Sequence, residues 1–105
     1  MPGIGEVEIE LNGKTETLRS SLDAGKKVNA GGGYGQVLQK LAAFDQDYYV
    51  LVVAAGLGKK PSDVEHAVWK AGLPNLTEAL STYVQYLANG GKPLTNAEND
   101  GSGEA

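Results

Sequence analysis

The chain has 105 residues, 41% of them hydrophobic and 21% charged, with a formal net charge of −4 and no cysteine. That length suffices for one domain with one modest core. No basic run exceeds the pairs Lys26-Lys27 and Lys59-Lys60, which counts against a phosphate-backbone binder, and the missing thiols exclude disulfides, thiolate metal sites and cysteine nucleophiles.

The first residues, MPGIGEVEIE, lack a charged segment followed by an apolar one, so no signal peptide is expected. Residues 1–4 are read as a flexible N-terminus. Glu6–Leu11 (EVEIEL) alternates strictly, with Val7, Ile9 and Leu11 on one face and three glutamates on the other. A period of two predicts a half-buried strand. Asn12-Gly13 is a strong hairpin signal, because both residues tolerate positive φ. Lys14–Leu18 then returns as the second strand, and a two-residue turn pairs Val7 with Leu18 and Glu8 with Thr17.

The remaining segments read as helices. Ser20 or Ser21 can cap one that runs through about Val28. Gln36–Ala43 (QVLQKLAA) forms a second. Tyr48–Val53 (YYVLVV) is rich in strand formers. Yet Phe44, Tyr48, Leu51, Val52 and Ala55 follow helical spacing, which predicts a helix ended by Gly56 and Gly58. Ser62 and Glu65 have capping-box spacing, ahead of a face made by Val64, Ala67, Val68 and Ala71. Gly72 and Pro74 should stop that helix. Asn75 and Glu78 repeat the box and open the last helix, with its stripe of Leu76, Ala79, Leu80, Tyr83 and Leu87. Asn89-Gly90-Gly91 closes it. The expected fold class is α+β: an N-terminal β-hairpin followed by a small bundle of four to five short helices. One globular domain spans 5–91, with the hairpin in 5–19 and the helical part in 20–91. Residues 92–105 are polar and Gly-containing, and are expected to be a disordered tail.

The most suggestive stretch for chemistry is NAGGGYGQV, Asn29 to Val37. A phosphate-binding P-loop needs G-x-x-x-x-G-K-[ST]. Here Gln36 and Val37 follow Gly35, so the lysine and the hydroxyl are both missing. The G-x-G-x-x-G spacing of a dinucleotide fold is also absent, and no buried strand precedes the glycines. They read as a link between helices. His66 is the only histidine, and its neighbours Ser62, Asp63 and Glu65 on one helix cannot make a catalytic triad. No H-E-x-x-H spacing points to a metal. Asp45 and Asp47 suit the start of a helix, where negative charge meets the dipole. Tyr48 and Tyr83 fall on apolar stripes and are expected in the core. Tyr49 and Tyr86 lie partly off them, and Trp69 lies just off the Val64/Val68 stripe. These last three are the candidate partner-binding residues, since large aromatics dominate interfaces. The free edge of the hairpin is a further candidate, able to recruit a strand. No catalytic, cofactor-binding or metal-binding residue is expected, and the residues read as a non-enzymatic interaction module.

The order of segments resembles one family. GEVEIELNGKTETLR (Gly5–Arg19), SLDAGKKVNAGGGYGQVLQKL, YYVLVVAAGLG and PSDVEHAVWKAGLPNLTEALSTYVQYLANGG follow the pattern of small tail assembly chaperones of phages and gene transfer agents. The matching positions are Gly5, Glu6, Leu11, Gly13, Lys14, Leu18 and Arg19, then Leu51, Ala55, Gly56, Leu57, Val64, Ala71, Gly72 and Leu73. The resemblance spans about residues 5–91. It departs at Asn29-Ala30-Gly31, where relatives often carry charged residues. It implies a non-enzymatic protein of the host cell cytoplasm that binds the tape measure protein during tail assembly. A structural, tube-associated tail component or a small regulatory protein-interaction module is the alternative; other tail proteins are further expected partners, and so is a second copy of the chain in a homo-oligomer. Neither nucleic acid nor membrane is implied as a partner, and no cofactor.

Overall fold

The computed structural model describes residues 3–93. Within them the chain runs β1 (Val7–Leu11), β2 (Lys14–Leu18), α1 (Leu22–Asn29), α2 (Tyr34–Ala42), α3 (Gln46–Leu57), α4 (Pro61–Ala71) and α5 (Leu73–Ala88). This is the α+β hairpin-and-bundle class that the sequence predicts. The strands pair antiparallel in the expected register, Val7 opposite Leu18 and Glu8 opposite Thr17. Asn12 and Gly13 take φ of 54° and 76°, the type I′ turn whose twist suits a hairpin. A two-stranded hairpin is marginal alone. This one buries Ile9, Leu11 and Leu18 against the helices, each contributing about 1.5–3 kcal/mol.

The core centres on α3. Strands alone do not explain YYVLVV: Tyr49, Val50, Val52, Val53, Ala54 and Ala55 are all buried, on several sides of one helix. β2, α1, α2, α4 and α5 surround it. Burial on every side overrides the weak helix preference of the β-branched residues.

Helix starts and stops depart from the sequence reading in four places. Gly56 lies inside α3, and Gly58, at φ 67°, ends it. A Cβ on Gly56 would come within 2.8 Å of Leu18 Cδ2, 2.9 Å of Leu18 Cβ and 3.2 Å of Tyr83 Cζ, so this glycine lets the hairpin and α5 approach α3. Ser62 and Glu65 form no capping box. Lys60 is the cap residue and Pro61 leads the helix, with no side-chain cap bond, because proline lacks the N–H that would be orphaned there and has its φ preset. Nor do Asn75 and Glu78 open α5. That helix begins at Leu73 with Pro74 in its first turn, and Gly72 alone separates it from α4. Asn75 Nδ2 instead donates to the Ala71 carbonyl at 2.8 Å, so its amide serves the end of α4. Finally, α2 starts two residues early, at Tyr34.

Other ends follow the expectation. Ser21 caps α1 by accepting the Ala24 N–H at 3.0 Å. Asp45 occupies the cap position of α3, though without a side-chain cap bond, and Asp47 lies in its first turn. Asn89 caps α5 at its C-terminus. Gly3 and Ile4, expected within a flexible segment, form a turn in which the Glu6 N–H donates to the Gly3 carbonyl at 3.1 Å. The expected tail at 92–105 falls, from Leu94 onward, outside the described residues.

Candidate functional site

The glycine-rich stretch is a tight link. The N–H groups of Gly31, Gly32 and Gly33 donate to the carbonyls of Val28, Asn29 and Asn29, at 3.0, 3.2 and 2.9 Å. Gly32 and Gly33 take φ near 100°, conformations that glycine supplies. The Gly31 carbonyl accepts from the Tyr48 hydroxyl at 3.1 Å. Three of the amides that a phosphate cradle would use are therefore already spent on the end of α1.

The four tyrosines of α3 and α5 do not sort as their stripes suggest. Tyr83 is in the core as expected, and its hydroxyl donates to the Arg19 carbonyl at 2.6 Å. Burial pushes its pKa up. Tyr48 is only half-buried, with Lys40 Nζ 5.9 Å from its ring centroid, a cation–π distance. Tyr49 is a correction. It is 0% exposed, its hydroxyl donating to the Leu41 carbonyl and meeting Thr77 Oγ1 at 2.7 Å. The reason is the all-round burial of α3: a residue off its main stripe still faces a neighbour, here α5. Tyr49 thus joins α2 to α5 and offers nothing to a partner. Tyr86 is half-buried.

Trp69 is 61% exposed, on the outer face of α4. His66, one turn earlier, stands beside it with ring centroids 6.0 Å apart. Three further large apolar side chains are exposed: Ile4 at 81%, Leu22 at 80% and Phe44 at 52%. Phe44 corrects the helical stripe, for it lies before α3 at φ 58°. Ile4 and Leu22 share one concavity with Tyr34 and Leu87. Leu22 carries a signal in the sequence, since it directly follows the cap residue and lies off the Ala24/Val28 face. Ile4 and Phe44 carry none, because loop geometry places them.

A groove of about 740 Å³ runs beside β1. Glu8 and Glu10 form one wall. Lys70, Ala71, Leu76 and Ala79 form the other, at the junction of α4 and α5. At the far end of the strand, Glu6 accepts the Gly3 N–H at 2.8 Å and the Arg19 Nε at 3.3 Å. The Gly3 hydrogen bond, with a smaller contribution from Arg19, holds its carboxyl below the usual carboxylate range. Among the described residues, no group of three or more His, Asp or Glu side chains could hold a metal ion, and no helix is long and apolar enough to cross a membrane. No protein-family model, curated protein or solved structure matches the chain.

Proposed function

We propose that this protein is a non-enzymatic tail assembly chaperone of a phage or gene transfer agent, acting in the host cytoplasm by binding the tape measure protein. The observation that carries the reading is the order of motifs from Gly5 to Gly91, together with a tryptophan left exposed on the outer face of α4. The hairpin and helices follow that order, and an exposed Trp is the side chain best suited to anchor a partner. Shielding the apolar helices of a tape measure protein requires a binding surface and no chemistry.

Co-expression with the tape measure protein of the same genome tests this. The expected result is a co-purifying complex and a tape measure protein that precipitates when this chain is withheld. A tape measure protein that stays soluble alone and never binds overturns the proposal. Sedimentation of the isolated protein as rings or tubes would assign it to the tail structure instead.

A further inference from the structure

We propose that the groove along β1 binds an extended peptide segment as a third strand, one with basic side chains at alternate positions and small apolar ones between them. The backbone supplies the first argument. Across a two-residue turn, Leu11 and Lys14 form a hydrogen-bonded pair, so Ile9 with Glu16 and Val7 with Leu18 do too. The N–H and C=O groups of Glu8 and Glu10 therefore point away from β2. No other hydrogen bond among the described residues engages these backbone groups. They form a free template for strand addition.

The template opens onto a site of fitting shape. The 740 Å³ groove follows this edge, with Lys70, Ala71, Leu76 and Ala79 across from it. Ile9 and Leu11 are buried toward the helices, while Glu8 and Glu10 are exposed. A strand added here would place alternate residues on the inner face, over Ala71 and Ala79, where small apolar groups fit. Its other residues would stand beside Glu8 and Glu10, where Lys or Arg makes favourable cross-strand pairs.

Charge also rules out the nearest rival occupants. A second copy pairing through β1 would set glutamates against glutamates, which is destabilising. The chain's own residues 94–105 contain three acidic residues and no base. The opposite edge is a poorer template, because its outward row ends at the Arg19 N–H, already bonded to the Gly56 carbonyl at 3.0 Å. The inference stands apart from the tail-assembly reading, since it concerns only what the groove recognises.

Three synthetic peptides test it against the full chain by amide NMR: Ac-TKVKVKVT-NH2, the block isomer Ac-TKKKVVVT-NH2 and the acidic Ac-TEVEVEVT-NH2. The alternating basic peptide should saturate at or below about 1 mM in low salt. It should shift the amides of Glu8 and Glu10 and slow their exchange about ten-fold or more. The other two should bind at least about ten-fold more weakly. The surface variant Glu8→Lys/Glu10→Lys should reverse the preference between the basic and acidic peptides. Glu10→Pro removes an outward N–H but no ladder bond, and should abolish binding while leaving the Leu18 and Tyr83 signals in place. Absence of binding, equal binding of the block isomer, shifts confined to other surfaces, indifference to Glu8→Lys/Glu10→Lys, or a free protein that already dimerises through β1 would each overturn the proposal.

Discussion

The Tyr83 hydroxyl donates to the carbonyl of Arg19 at 2.6 Å, joining residues 64 apart in sequence. Arg19 in turn donates its N–H to Gly56 at 3.0 Å. The strand leaving the hairpin is thus clamped between α3 and α5. Tyr83→Phe keeps the packing but leaves that carbonyl unpaired. It should cost about 1–2 kcal/mol and lower the melting temperature by about 4–16 °C. Thermal denaturation checks this, and an unchanged midpoint would show that water replaces the hydroxyl.

Burial raises the Tyr83 pKa above its ordinary value of 10.0. A raised pKa means that the folded state favours the neutral phenol. Its stabilising effect is fully present below about pH 10 and is lost as pH rises toward the folded value. Absorbance titration should therefore show at least one of the five tyrosines ionising only as the protein unfolds in alkali. Five equivalent tyrosines titrating reversibly would contradict it.

The carboxyl of Glu6 shows the opposite sign. The Gly3 hydrogen bond lowers its pKa from the ordinary 4.5, so its contribution is present above that value and is lost as pH falls through the folded one. NMR titration should place the Glu6 midpoint below 4.5, and Arg19→Ala should move it upward. A midpoint at or above the ordinary value would remove the turn's electrostatic role.

Two glycines in helices should respond oppositely to alanine. Gly56 faces Leu18 at 2.8 Å and Tyr83 at 3.2 Å from an added Cβ, so Gly56→Ala should destabilise by about 1–3 kcal/mol. Gly35, in α2, has no neighbour within 4 Å of such an atom, and Gly35→Ala should stabilise by about 0.4–1 kcal/mol. Urea denaturation of the pair separates close approach from helix preference.

Trp69 packs little in the free protein, being 61% exposed. Trp69→Ala should change stability by no more than about 0.5 kcal/mol. The same change should weaken tape measure binding by about 2 kcal/mol or more if this side chain anchors the contact. Acrylamide quenching of the single tryptophan should be strong in the free protein and reduced in the complex. Equal quenching in both would place the interface elsewhere.

Local chemistry made much of this protein readable. The alternation of EVEIEL, the Asn12-Gly13 turn and the capping hydroxyl of Ser21 are each decided within a few residues, and the structure places them as read. Tertiary packing decided the rest. Whether Tyr49 is a surface anchor or a buried tie depends on α2 and α5 lying across its helix. Whether Gly56 ends a helix or admits Leu18 depends on a hairpin that precedes it by more than thirty residues. The groove beside β1 has no sequence signature, because its two walls meet only when α4 and α5 fold back under the strand. Turn preferences, strand alternation and helix caps act between neighbours in sequence, whereas burial is set by neighbours in space.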